Sequence, residues 1–276
     1  GAPVLSAGRL VAAVEVPPGG PARLATRRTD DKLGLGDKTD AGRRLDQLRT
    51  ELIALHHRLW AEGARSVLLV LQGMDAAGKD STIRHVLSGL NPQGCQVTSF
   101  KVPNDTERAH DYLWRIHAAC PERGRLGVFN RSHYEDVVAA RFAGTASPEQ
   151  CRRRYDHLRS FERLLVDEGT AVVKVFLHLS KDEQTARLER RLADPTRAWK
   201  FDPSDLEARR AWDDYQALYD EVLSETSTVH APWFVVPADR KWARDVAVAT
   251  LLVETLRRLD PRIPAPDPAL SRVIIS

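Results

Sequence analysis

Three cysteines in 276 residues, Cys95, Cys120 and Cys151, are scattered, odd in number and without metal-ligand spacing. That excludes a disulfide framework and a cysteine-based zinc site, and predicts reduced thiols in a cytoplasmic protein. No apolar run approaches the roughly 18–20 residues that span a bilayer; the longest, Val67–Leu71 and Val172–Leu177, have the length of buried strands. The first residues lack the charged-then-apolar pattern of a secretory signal. There is no internal repeat and no low-complexity tract, and the nine histidines form no Ser-His-Asp or metal pattern. Charge of one sign is not in large excess either, with a net of only +3.

What is present is a globular composition, 42% hydrophobic and 29% charged, enough for one large core. Residues 1–40 are rich in Pro, Gly and charge around Pro17-Pro18-Gly19-Gly20-Pro21, and read as an irregular arm. From Ala41 to Glu62, Leu45, Leu48, Leu52, Leu55 and Leu59 recur at helical spacing, and Gly63 closes the helix. Strands are predicted at Val67–Leu71, Gln96–Lys101, Leu126–Asn130, Val172–His178 and Trp233–Val236. Helices are predicted at Gly78–Leu90, Thr106–His117, Pro148–Asp167 and Lys241–Leu259. That alternation implies an α/β fold of three layers with a five-stranded parallel sheet. The domain runs over 41–260, followed by a tail at 261–276. About fifty charged, helical residues from Ser180 to His230 exceed the dozen or so that one crossover needs. They read as an inserted helical lid, able to exclude water from a transfer reaction.

Gly73-Met74-Asp75-Ala76-Ala77-Gly78-Lys79 fits G-x4-G-K between a strand and a helix, the context a phosphate loop requires. Glycines let successive amides point at phosphate oxygens, the helix N-terminus adds its positive dipole end, and Lys79 supplies a point charge. Gly73, Ala76, Ala77, Gly78, Lys79, Asp80 and Ser81 are therefore the expected phosphate-binding residues. Asp80 stands where ordinary phosphate loops carry a magnesium-binding hydroxyl, and Asp75 lies inside the loop. Carboxylates beside phosphates repel them unless a cation intervenes, so Asp75 is the expected metal ligand. Asp80 is read either as a second ligand or as a group that caps the helix or bonds the loop amides.

Here the chain resembles the polyphosphate kinase 2 family, whose loop pattern is G-x-D-x-x-G-K-[DG]. Further blocks match in order: Phe100-Lys101-Val102-Pro103 with Glu107–His117, then Gly127–Val137 (GVFNRSHYEDV), then Trp199-Lys200, Trp212–Tyr215 and Ala231–Trp242. The resemblance covers roughly 45–260. It implies a P-loop kinase fold and transfer of the terminal phosphoryl group of polyphosphate to ADP or AMP, with GDP and GMP as further acceptors, in either direction. It also implies Mg²⁺, with Mn²⁺ as a substitute, and a homo-oligomer, dimer or tetramer. Many members carry Asp where this chain has Asn130, so metal binding leans on Asp75 and Asp136. Tyr134-Glu135-Asp136 resembles the subgroup that accepts both mono- and diphosphates. Asn130, Arg131 and Glu135 are then nucleotide-binding, and Asp75, Lys79, Arg131 and Asp136 catalytic. For Glu135 and Asp136 the plain alternative is helix N-terminal charge. Arg131 suits phosphate because a guanidinium binds it in a bidentate fork. Lys101 is assigned to phosphate by the likeness, a surface lysine being the alternative. Arg187, Arg191 and Lys200 of the lid are expected to line a channel for the polyanion; helical spacing puts Arg187 and Arg191 on one face.

Two rivals are an ATP-dependent kinase of the nucleoside monophosphate type and a nucleotide-switched nucleic-acid binder. The second needs aromatic groups interleaved with basic ones, and the lid holds few. Neither nucleic acid nor membrane is an expected partner.

Overall fold

The structure, a computed structural model, describes residues 5–275. Five strands, β1 (Ser66–Gly73), β2 (Cys95–Ser99), β3 (Leu126–Asn130), β4 (Thr170–His178) and β5 (Trp233–Pro237), form one parallel sheet in the order β2-β3-β1-β4-β5. β1 is central, with Val67 opposite Leu126 on one side and Ala171 on the other. Such a strand is buried on both faces, which is why Val67–Leu71 is apolar without alternation.

The helices, in chain order, are α1 (Ala7–Val14), α2 (Lys38–Glu62), α3 (Lys79–Val86), α4 (Asp105–Arg108), α5 (Trp114–Ala118), α6 (Ala139–Phe142), α7 (Pro148–Asp167), α8 (Lys181–Ala193), α9 (Ser204–Arg210), α10 (Trp212–Thr226) and α11 (Lys241–Leu259). One core layer packs Val67, Leu69 and Leu71 against the apolar stripe of α2 (Leu48, Leu52, Leu55, Leu59) and against α11. The other packs Leu68, Val70 and Phe176 against α7 and α10.

The ends of the predicted elements hold where caps are strong. α7 begins as expected because Ser147 and Gln150 form a reciprocal capping box with Pro148 in the first turn. α2 starts three residues earlier than expected, because the Asp37 carboxylate accepts from the amides of Thr39 and Asp40. α3 stops at Val86 rather than Leu90. The single helix expected over 106–117 is two short ones, since the Asp111 carboxylate takes the Leu113 amide between them.

The segment read as an irregular arm is more regular than that. α1 buries Leu10 and Val14 in the α2/α11 layer, and the chain then crosses the β5 edge. Glu15 bridges Phe234 antiparallel, and the Val16 amide donates to the Trp233 carbonyl at 2.8 Å. The lid is also asymmetric. α10 is a core helix that buries Trp212, Leu218, Tyr219, Val222 and Leu223, so only α8, the turn Ala198–Lys200 and α9 stand over the sheet edge.

Among the described residues no helix is long and apolar enough to cross a membrane. Burial pushes the Cys95 thiol up to about 11 and that of Cys120 to about 12, so neither supplies a thiolate near neutrality.

Candidate active site

The loop Gly73–Gly78 leaves β1 at the carboxyl edge of the sheet, where the strand order reverses and open α/β folds gather ligands. Ala76 (φ 65°) and Gly78 (φ 98°) both take left-handed backbone there. At Gly78 a side chain is excluded twice, because a Cβ would also lie 2.0 Å from Arg244 Nη1. The curl leaves the amides of Ala76, Gly78, Lys79, Asp80 and Ser81 with no acceptor among the described residues. They form a nest of donors at the start of α3.

The loop's carbonyls turn the other way and are held. Arg187, on α8, spends all five donors: Nε on Glu183 (3.0 Å), Nη1 on the carbonyls of Ala76 and Ala77 (3.0 and 3.1 Å), and Nη2 on those of Ala238 and Asp239 (2.6 and 3.1 Å). Gln184 adds a bond from Nε2 to the Asp75 carbonyl at 2.8 Å. Buried Arg244, from the first turn of α11, lies behind Gly78 and is fixed by Asp245, which in turn takes His85 Nδ1 at 2.8 Å. The expectation that Arg187 lines a polyanion channel is thus corrected. It braces the phosphate loop from behind, since a guanidinium with every donor satisfied by protein has none to offer a phosphate. Arg191, one turn further, faces Asp205 of α9 at 3.6 Å. Lys200 lies over the ring of Trp199, exposed beyond α8. Lys101 is exposed past β2, its carbonyl held by Arg115 at 2.8 Å.

On the open side of the loop, Asp75 and Arg131 form an ion pair at 3.3 Å. Arg131 takes left-handed backbone (φ 61°), and its amide continues the ladder to the Leu71 carbonyl at 3.1 Å. Asn130 donates to the Asp80 carboxylate, so Asp80 neither caps α3 nor bonds the loop amides. Lys79 Nζ rests on the Gly73 carbonyl at 3.2 Å. Burial and then Arg131 push this lysine below its usual value, while Asp75, Glu135 and Asp80 pull it up.

A cleft of about 510 Å³ opens from this pair, between Glu135–Ala143 and α9/α10. Asp75, Arg131, Glu135, Asp205 and Glu207 supply its charged wall, and Val138, Phe142 and Tyr215 part of its apolar one. Phe142 and Tyr215 stack with ring centroids 3.7 Å apart. Glu135 is aimed by Gln72, a fully buried residue at the end of β1. Gln72 Nε2 donates to Glu135 Oε1 (3.0 Å) and to the Tyr219 hydroxyl (3.3 Å). Its orientation is set by the Glu135 carboxylate, which can only accept and so takes Nε2; Oε1 then accepts from Ser132 Oγ at 3.1 Å, and that Oγ in turn accepts from the Tyr134 amide.

The turn that carries Glu135 stands on a buried ionic cluster. Glu162 accepts from the Tyr134 hydroxyl (2.8 Å), lies 2.9 Å from His133 Nε2, and receives Lys174 Nζ at 2.8 Å; Lys174 also bonds the Tyr134 hydroxyl and the Thr226 carbonyl. Burial alone would raise the Glu162 carboxyl, yet Lys174 and His133 hold it below the ordinary range.

Asp136 is placed differently from expectation. Its side chain is absent from the cleft wall, and the charges nearest it are Arg115 and Arg154, besides Glu135. One carboxylate oxygen is buried without a partner, and burial raises the group to about 6. A metal shared between Asp75 and Asp136 is therefore not supported. Among the described residues, no three His, Cys, Asp or Glu side chains converge to hold an ion.

Gln72, Asp205, Arg244 and the bracing by Arg187 escaped the sequence reading. Gln72 stands directly before the G-x4-G-K loop and Arg244 just beyond the last matched block, neither with a pattern that gives it a role, and Asp205 has no local pattern to mark it.

The comparisons with known proteins agree with this geometry. A family model described as Polyphosphate kinase 2 matches residues 36–263. An AMP/ADP-polyphosphate phosphotransferase of Meiothermus ruber is 49% identical over 240 residues, covering 87% of this chain and 90% of that protein. An ADP-polyphosphate phosphotransferase of Rhodopseudomonas palustris is 42% identical, covering 88% and 94%. The crystal structure of a polyphosphate kinase 2 from Arthrobacter aurescens superposes with a TM-score of 0.91 at 40% identity, covering 98% of this chain and 96% of that one.

Proposed function

This chain belongs to the polyphosphate kinase 2 family, and we propose that it moves the terminal phosphoryl group of inorganic polyphosphate onto both AMP and ADP, in a reaction that runs both ways. It is a polyphosphate-dependent nucleotide kinase, with the fold of the P-loop kinases. The observation that carries the choice of acceptor is Glu135, held by Gln72 in the cleft beside Arg131, in a chain half identical to a relative named for both nucleotides.

The donor end of polyphosphate sits on the loop amides and Lys79. The acceptor lies in the cleft of about 510 Å³, its phosphate toward Arg131. A terminal oxygen of the acceptor phosphate, already ionised, attacks the end phosphorus in line. The bridging P–O bond breaks and the shortened chain leaves with the electron pair. No general base is needed, so catalysis consists of positioning and charge neutralisation. Arg131 neutralises charge on the transferring group, and α8 and α9 shield it from water. Asp75 fits a hard divalent cation, Mg²⁺ or Mn²⁺, because such ions accept one or two carboxylates and complete their shell with phosphate oxygens and water; a bound ion would offset phosphate charge beside Asp75.

The test is nucleotide formation from purified protein, long-chain polyphosphate and Mg²⁺, with AMP and ADP offered separately. Both are expected to react, and Asp75→Asn to abolish both. Reaction of ADP alone would refute the role given to Glu135, and an ATP-only donor would refute the polyphosphate reading.

A further inference from the structure

The cleft beside the phosphate loop is poor in groups that hold an anion. Among the described residues of its wall, Arg131 is the one cation, and it is paired with Asp75, while Glu135, Asp205 and Glu207 add negative charge. A nucleotide phosphate placed toward Arg131 meets more carboxylate than guanidinium, so it needs neutral donors as well.

The hydrogen-bond chain behind Glu135 supplies one. A carboxylate only accepts, so Gln72 Nε2 gives one hydrogen to Glu135 Oε1 at 3.0 Å. Its other hydrogen goes to the Tyr219 hydroxyl at 3.3 Å. An amide nitrogen has nothing to accept with, so the phenol oxygen is the acceptor of that bond and its own hydrogen is left over. No group among the described residues takes that hydrogen. Tyr219 is 3% exposed and lines the cleft, and the charges it feels are Glu135, Arg131 and Asp75, at the loop end. Burial, and next the Glu135 carboxylate, raise the phenol well above its ordinary value, so it keeps its proton near neutrality.

The side chain is also held in place. Its ring packs on Phe176 of β4 with centroids 4.7 Å apart, and the neighbouring Leu218, Val222 and Leu223 of α10 are buried. From outside, the segment that follows α1 fastens the helix. The Leu24 amide donates to Asp220 Oδ1 at 2.8 Å, and the Ala22 amide to Ser224 Oγ at 2.9 Å. A donor fixed in this way loses little freedom when a ligand arrives.

Resting on the acceptor placement proposed above, we infer that the Tyr219 hydroxyl donates its free hydrogen to the attacking phosphate of the nucleotide, alongside Arg131. That phosphate is the only one of AMP and the terminal one of ADP, so the contact serves both acceptors without choosing between them. Gln72 then has two tasks, since it holds Glu135 in the cleft and leaves the Tyr219 hydrogen for the ligand.

The experiment is equilibrium binding of AMP, ADP and adenosine to wild type, Tyr219→Phe, Gln72→Leu and the double variant. Phenylalanine keeps the ring and its packing on Phe176, so Tyr219→Phe is expected to fold. Its Kd for AMP and for ADP should rise about ten- to hundredfold, the range for losing a hydrogen bond to a charged group. The Kd for adenosine, which has no phosphate, and the KM for polyphosphate should not move. Tyr219→Phe also strips Gln72 of a partner, so the same replacement is made in the Gln72→Leu background, where that bond no longer exists. A further loss of similar size is expected there. If the second replacement added nothing, Tyr219 would act only through Gln72, and the inference would fall. Equal losses for adenosine, or no loss for any ligand, would likewise overturn it. If Tyr219→Phe alone did not fold, the two Gln72→Leu proteins would carry the same comparison. If wild type bound AMP and ADP yet turned over no polyphosphate, the functional reading would fail while these affinities still decided the role of Tyr219.

Discussion

Replacing Arg187 by methionine separates a brace from a substrate ligand. The side chain is 7% exposed and makes five hydrogen bonds, four to backbone carbonyls on two segments, the phosphate loop and the β5–α11 turn. Methionine keeps much of the volume and none of the donors. Each buried carbonyl left without a partner costs about 1–3 kcal/mol, and water entering beside Ala76 and Ala77 would recover part of that. A net loss of about 3–5 kcal/mol follows, in the range for breaking a buried charged contact. The loop amides would lose their orientation, so kcat with polyphosphate should fall at least about a hundredfold, as when a preorganised donor is removed. Urea unfolding gives the first quantity and steady-state kinetics with long and short donors the second. Arg187→Lys should recover little, because one ammonium cannot span two carbonyl pairs. A variant of unchanged stability whose only defect was a salt-sensitive KM for long chains would refute the brace and restore Arg187 to the channel.

Gln72→Leu should raise the KM for AMP and ADP about tenfold while leaving that for polyphosphate unchanged, since the amide touches Glu135 and not the loop. A parallel rise in both constants would indicate general disruption instead. Asp136, raised to about 6 by burial, holds its proton longer folded than unfolded. Stability should therefore fall by about 2 kcal/mol as pH rises from near 4 to near 6, and Asp136→Asn should flatten that slope in urea titrations at the two pH values. An unchanged slope would show that the carboxyl is not desolvated. Gly78→Ala should lose polyphosphate binding, measured by equilibrium titration, because left-handed backbone and the approach of Arg244 both oppose a Cβ. Wild-type affinity in that variant would mean that the loop adapts.

Much of this protein was legible before any coordinates. The strand β3, the helices α7 and α11, and the G-x4-G-K loop between β1 and α3 are local objects, specified by period, caps and glycines within a few residues of one another. The motif marked Asp75 and Lys79 and the family likeness added Arg131, and the three are neighbours, because the loop after β1, the start of α3 and the residue after β3 meet at the carboxyl edge of two adjacent strands. Tertiary structure alone decided what the remaining charges do. Arg187 and Arg191 share a helix face in sequence, yet one is consumed by loop carbonyls more than a hundred residues away and the other faces Asp205. Asp136 follows Glu135 directly, but adjacent residues of a turn point apart, one into the cleft and the other toward Arg115 and Arg154. Periodicity reports which face of an element is apolar. Which donor finds which acceptor depends on how the elements pack, and that is set by contacts distant in sequence.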